Sequence, residues 1–476
     1  MPAATALSRK LNLWATISIV AGSVIGSSIF MKPAVMAGQL GSPLLLLFVW
    51  VFAGAISMMG ASINAEIGAM MPVTGGQYVF FQKMYGNFFA YIYGWACFAV
   101  INTASVASIA YIFAQYAEYF FTLPRFSPAM EHTWSIALPF MGQLFPLENI
   151  GVKGLTISVV VLLTWVNSKS VKGGGAVQVF FSVIKVIALV VMVGMIFFSD
   201  KGSTHNFVQV SHTMGVKGWA IIGGIVAALS GAFAAYDGWN NIGFVAGEIS
   251  NPKKNIPRGL FIGLGICILL YILTTQAYLY ILPIDKMAAS ALVATDALQP
   301  ILGKKGVGFI ALLVMVSAFG ATNGNILACA RVTFAMAKEG VFFKSIGRVQ
   351  SKNQTPANAL WLHCIWTCLF VLTGSFDMLT DLFVFITWIF YGFAAAGIFI
   401  LRKKMPDAER PYKAWGYPVA PAIFILFSAF YFVLTLYADI NNYVSGKTHF
   451  ISSVFGLALT GMGVPFYFYF KKRYGK

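Results

Sequence analysis

The run GSVIGSSIFMKP, Gly22 to Pro33, decides how this chain is read. It lies within an apolar stretch long enough to cross a bilayer. Yet two glycines, three serines and a closing proline make it poor material for a continuous helix. Hydrocarbon holds no water to satisfy an opened backbone, so a break at that depth must line a cavity enclosed by protein. Gly22 and Gly26 also have GxxxG spacing, which lets helices pack closely through small residues. On the motif alone both readings stand: a packing seam or a break.

The rest of the chain fixes the class. Its 476 residues are 59% hydrophobic and 10% charged, with a mean hydropathy of +0.78, whereas soluble domains carry about 25% charged residues. Twelve apolar runs reach the ~20 residues that span ~30 Å of hydrocarbon as helix. They fall at about 13–36, 43–70, 88–121, 151–169, 176–198, 219–246, 258–282, 306–338, 358–373, 379–401, 418–437 and 450–470. The expectation is an all-α integral membrane protein of twelve transmembrane helices with no independent soluble domain. The connections 122–150, 199–218, 283–305 and 339–357 are expected to carry short helices at the surface.

The net charge of +17 does not point to nucleic acid. With both termini cytoplasmic, Lys and Arg favour the cytoplasmic face by more than two to one, the bias that orients helices. The clusters Arg402–Lys404 and Lys471–Arg473 each follow a span directly and read as topology determinants. Arg9 and Lys10 precede an apolar stretch too long for a cleaved signal, so the first helix is expected to be retained. All five cysteines fall within spans, which implies no disulfide framework. Cys364 and Cys368, with His363 beside them, read as packing residues, and no metal or cofactor is expected.

A second interruption, ALSGAFAAYDGWNN (Ala228–Asn241), opens the sixth run as GSVIGSSIF opens the first. Interrupted helices in matching positions of two halves point to a transporter binding site. The expected organisation is a tail over 1–12, five-helix units over 13–198 and 219–401 with opposite topology, two further helices over 418–470, and a tail over 471–476. A break presents N–H groups from one half-helix and C=O groups from the other. The first suit an anion and the second an ammonium, and a free amino acid carries both. Intramembrane ionisable residues are functional candidates by default. Glu66 has a structural or gating reading. Asp237 is expected to pair with a substrate ammonium, or to face solvent or cap the second half-helix. Lys185, in FSVIKVIALVVM, needs carbonyls or a carboxylate as partner.

These motifs resemble the amino acid–polyamine–organocation superfamily, and within it the bacterial serine/threonine-exchanger branch of the L-type amino acid transporters. The resemblance runs through GSVIGSSIFMKP, AEIGAMMPVTGGQYVFFQKMYG, AAYDGWNNIGFVAGEISNPKKNIPRG, FGATNGNILACARVTFAMAKEG and ILRKKMPDAERPYKAWGYPVAP. It implies a LeuT-type five-plus-five inverted repeat with helices one and six broken, plus helices eleven and twelve. It also implies sodium-independent exchange of small neutral L-amino acids across the bacterial plasma membrane. The substrate carboxylate would meet Gly26, Ser27 and Ser28, and the amino group Val24, Ala234, Ala235 and Asp237. Phe233, Tyr236, Trp239 and Asn240 would gate or surround the site, and Ser317, Asn323 and Tyr391 are candidates for the side-chain pocket. Lys185 would occupy the place that Na⁺ takes in sodium-coupled relatives, bridging the first break and span eight.

Two departures stand out. GSSIF places Ser28 where a glycine is common, and FAAYDGW puts Ala234 at the position of a lid aromatic, with Phe233 one residue earlier. Animal members join a glycoprotein through a cysteine between spans three and four. Residues 122–150 contain none, so no such partner is expected. Proton symport and cationic amino acid or polyamine antiport remain as alternatives, the latter limited to Asp237 as its acidic residue. An enzyme or a channel is disfavoured: acidic residues do not pair for acid–base or metal work, and no filter repeat appears.

Overall fold

Helix boundaries follow local chemistry. Ser42 caps the second span, its Oγ accepting from Leu45 N at 3.4 Å, and Pro43 occupies the first helical position where no N–H is needed. The helix then runs Pro43–Met70, 28 residues or about 42 Å. Ser375 caps the tenth span in the same way, accepting from Met378 N.

The computed structural model describes residues 11–73, 75–169, 174–211, 218, 220–350 and 355–474. The first span is split into Leu13–Val24, a 3-10 turn Ser27–Phe30 and Lys32–Leu40. A short helix, Gly76–Tyr85, connects the second span to the third, Asn87–Ala117. Ile150–Lys169 and Gly174–Phe197 complete the first five spans. The sixth is Ala220–Tyr236 followed by a 3-10 segment Trp239–Glu248, and the seventh is Pro252–Ile281. The eighth to twelfth are Gly306–Lys338, Ala357–Thr373, Phe376–Lys404, Val419–Val444 and Ser452–Tyr474. Among the described residues nine helices are long and apolar enough to cross a membrane, with Leu13–Val24, Val183–Phe197 and Ala357–Thr373 as shorter apolar helices. This is an all-α, multi-pass membrane protein.

The connections depart from expectation in two places. Residues 122–150 hold one short helix, Pro128–Thr133, and also an antiparallel hairpin pairing Ile136–Leu138 with Gly142–Leu144. After span eight, residues 339–350 carry turns instead of a helix. The helix preceding span eight starts at Val293 and kinks at Gly303, where φ is +63°. In span three, residues Cys97–Ile101 form a π-turn, an insertion that re-aims the residues after it.

Glu66 takes the structural role. It is 2% exposed and accepts from Arg402 Nε and Nη2 at 3.0 and 2.7 Å, and from the Ala414 amide at 2.6 Å. Arg410 Nε lies 3.5 Å away. Ser62, one turn earlier, accepts from Trp415 N and pairs with the Tyr412 hydroxyl. The loop 405–418 is thereby docked on the end of span two. Glu66→Ala strands two guanidiniums beside a buried pocket. A thermal unfolding series in detergent should show a loss of about 3 kcal/mol, the low end for one broken half of a buried pair, because Arg402 keeps some solvent.

Candidate substrate site

The first break begins where Leu13–Val24 ends. Ile25 leaves helical geometry at ψ +80°, and Gly26 is extended at φ −88°, ψ −178°. A Cβ added at Gly26 would approach nothing closer than Val24 O at 3.7 Å. The missing side chain therefore leaves open space beside the bared backbone. Ser27 and Ser28 start the 3-10 turn, where the first N–H groups have no acceptor within the helix. The Gly26 amide is different. It folds back on Val24 O at 2.6 Å, which removes it from the expected carboxylate donors.

The second break lies directly against the first. Tyr236 ends its helix, and Gly238 adopts φ +109°. A Cβ at Gly238 would sit 2.6 Å from Ser23 O and 2.9 Å from Ser23 C. Only glycine allows both this backbone conformation and this approach.

Three side chains from other spans hold the opened carbonyls. The Tyr271 hydroxyl, on span seven, lies 2.8 Å from Val24 O and 3.1 Å from Ala235 O, sharing its proton between both breaks. Ala235 O keeps a further lone pair, whereas Val24 O already accepts from both Tyr271 and the Gly26 amide. Lys185 Nζ donates to Ile25 O at 3.4 Å and is 4% exposed. An ammonium at the C-terminal end of a half-helix also complements its dipole. On the far side of the break, Tyr116 donates to Phe30 O at 2.8 Å.

Beside the breaks is a polar chamber. It is lined by Asp237, Asn240 and Asn241 of the sixth span, Asn102 and Ser105 just past the π-turn, Asn325, Thr387 and Tyr391, and Gln77 of the connector helix. Asp237 Oδ1 accepts from Tyr391 at 2.6 Å. Asp237 is half-buried and lines this chamber.

Several expected site residues lie elsewhere. Phe233 packs in the wall, its ring centroid 3.9 Å from Trp388, with Phe427 and Tyr431 behind it. Tyr236 donates to Trp50 O at 3.2 Å. Neither is placed as a lid. Trp239 is buried against Tyr391 at 4.8 Å. Ser317 lines an apolar cavity with Lys185 and Phe30, away from the polar chamber. Lys185 makes no hydrogen bond to span eight among the described residues. Asn323 accepts from Asn167 at 2.8 Å and ties span eight to span four. Of the three pocket candidates, Tyr391 alone lines the chamber. Ala234 and Ala235 are buried at the helix end beside the break.

Sequence reasoning missed Lys32, Lys153, Tyr271 and Gln77. Lys32 was legible, being charged and inside the opening motif. It is 2% exposed and pairs with Asp377 at 2.6 Å, near Asp381, which accepts from Ser230 at 2.5 Å. Lys153 donates to the carbonyls of Phe145 and Leu372. Tyr271 carries no signal in sequence, since a lone tyrosine in an apolar span is ordinary.

Two broken helices abutting at bilayer depth, with a polar chamber alongside, define a solute transporter. Residues 11–462 match the family described as amino acid permease, and the chain belongs to that family, in its L-type amino acid transporter branch. It is 31% identical to large neutral amino acids transporter small subunit 2 of Homo sapiens, over 97% of this chain and 80% of that protein. It is 29% identical to the serine/threonine exchanger SteT of Bacillus subtilis (strain 168), over 98% of both. The cystine/glutamate transporter of Homo sapiens is 28% identical over 98% of this chain and 85% of that protein. Amino acid transport, not catalysis, is the activity of this family.

Two substitutions test the geometry. Tyr271→Phe should cost about 1–3 kcal/mol of stability, that of leaving the buried Ala235 O unsatisfied, read as a lower thermal midpoint, and raise KM for transport severalfold. Gly238→Ala should abolish transport, since the added methyl drives the two breaks apart, and a limited-proteolysis pattern should show the separation.

Proposed function

We propose that this protein exchanges small neutral L-amino acids of the serine, threonine and alanine type across a bacterial plasma membrane, independently of sodium. Both termini are cytoplasmic in this reading. The observation that carries it is the Lys185 ammonium, 3.4 Å from Ile25 O in the first break. Carbonyls opened at bilayer depth attract a cation, and here a covalently attached one takes the place of a dissociable ion. A fixed charge cannot follow the substrate down a gradient, which favours exchange over accumulation.

The substrate carboxylate meets the amides of Ser27 and Ser28, which open the second half of the broken span. Its ammonium meets the remaining lone pair of Ala235 O and the Asp237 carboxylate, and reaches Val24 O only by displacing one of the two donors that carbonyl already has. Binding then joins the two breaks across their contact at Gly238 and Ser23. The units 13–198 and 219–401 act as inverted halves, with 418–470 as an appended pair. Residues 122–150 contain no cysteine, so the chain works without a disulfide-linked heavy chain. Its relative named SteT is a serine/threonine exchanger, which supports the same substrate class.

Purified protein in liposomes should take up labelled serine only when unlabelled amino acid is inside. Replacing Na⁺ by choline should leave the rate unchanged. Lys185→Ala should lose at least nine-tenths of exchange while remaining monodisperse, and full activity in that variant removes the coupling role. Uptake driven by a pH gradient into empty liposomes indicates proton symport. A second reading rests on Asp237, a carboxylate in a chamber lined by no Lys or Arg. Arginine or putrescine competing better than alanine favours cationic antiport.

A further inference from the structure

The connector between spans two and three places one residue in the chamber, and that residue is left incomplete by its own protein. Gln77 is 3% exposed, and neither its amide oxygen nor its amide nitrogen has a hydrogen-bond partner. Burying a carboxamide unpaired is costly, because its groups give up their bonds to water and receive none in return. Thr387, across the chamber, is 6% exposed, and its hydroxyl likewise lacks a partner.

The placement of Gln77 is built into the backbone. Gly75 and Gly76 both have positive φ, +132° and +57°, a pairing that side-chain-bearing residues rarely adopt. A Cβ at Gly243 would meet Gly76 Cα at 3.0 Å, so the turn is pressed onto the 3-10 segment that follows the second break. Tyr78, the next residue, donates to Glu339 at 2.6 Å and pins the connector to the end of span eight.

We propose that Gln77 and Thr387 are specificity-determining residues that select substrates whose side chains both donate and accept a hydrogen bond. Hydroxyl and carboxamide side chains are the class that fits. This rests on the reading of the chamber as the side-chain end of an amino acid site. Five carboxamides surround the space, from Gln77, Asn102, Asn240, Asn241 and Asn325, and each offers donor and acceptor together. The free volume is about 40 Å³, on the scale of about three waters. A hydroxyl or carboxamide replaces such water bond for bond. An aliphatic group of the same shape expels the water and leaves these partners stranded, which is the basis on which polar sites reject apolar isosteres. Acidic side chains are excluded by Asp237, whose carboxylate already lies in the chamber.

The test uses isosteric pairs: threonine against valine and asparagine against leucine, each competing for exchange of labelled alanine in liposomes holding the full-length protein. In the wild type the polar member should compete at a concentration at least tenfold lower. Gln77→Met and Thr387→Val, both close in shape, should each bring the threonine-to-valine ratio within threefold. Equal competition by valine and threonine in the wild type overturns the proposal while leaving amino acid exchange standing. A wild-type ratio that persists in both variants overturns the assignment to these residues. Better competition by arginine than by threonine assigns the unpaired groups to a cationic side chain and also overturns it. No exchange of any neutral amino acid overturns the transport reading and this proposal together. The wild-type ratio is decisive on selectivity even if a variant misfolds, and monodispersity on gel filtration identifies that case.

Discussion

Backbone polar groups inside a membrane must be bonded, and this requirement organises the whole structure. Each break in spans one and six exposes carbonyls and amides that lipid cannot satisfy. The protein answers with side chains brought from spans three, five and seven: Tyr116 on Phe30 O, Lys185 on Ile25 O, and Tyr271 on Val24 O and Ala235 O. None of the three reaches these carbonyls unless its own helix is correctly packed. The breaks are therefore features of the assembled bundle, which is also why they can be opened toward a ligand without unravelling.

Charge is distributed by the same logic. Lys185 faces the carbonyl end of a half-helix, while Lys32 lies one turn beyond the break and is paired with Asp377. Glu66 gathers Arg402, Arg410 and a backbone amide at the far end of span two. The polar chamber differs in kind, with one carboxylate among neutral amides. Full charge serves where helices are fixed to one another. Neutral hydrogen-bonding groups line the chamber proposed for the substrate.

How much of this was legible in the sequence depended on which physical signal each feature carries. Long apolar runs gave the spans closely: the expected 43–70, 151–169 and 358–373 are Pro43–Met70, Ile150–Lys169 and Ala357–Thr373. The breaks were legible because glycine and serine at bilayer depth conflict with continuous helix, and Lys185 because an isolated charge in an apolar helix demands a partner. Rotation about the helix axis was not legible. Ser317, Asn323 and Tyr391 lie on spans rich in apolar residues, with no polar stripe to say which face meets the chamber. The positions of Phe233 and Tyr236 depended on the register of the second break, set by Gly238 against Ser23. Gln77 was hidden because a connector reads as surface, and only its backbone turn carries it inward.

Phe233, which sequence placed at the gate, instead joins span six to span ten through Trp388 and to span eleven through Phe427 and Tyr431. That aromatic wall backs the second break, so span eleven is part of the site's support and not an ornament added to ten working helices. A nascent chain that has inserted its first ten spans has both breaks but lacks half of the surface behind one of them. The wall behind the second break is therefore complete only once residues near 430 are in place.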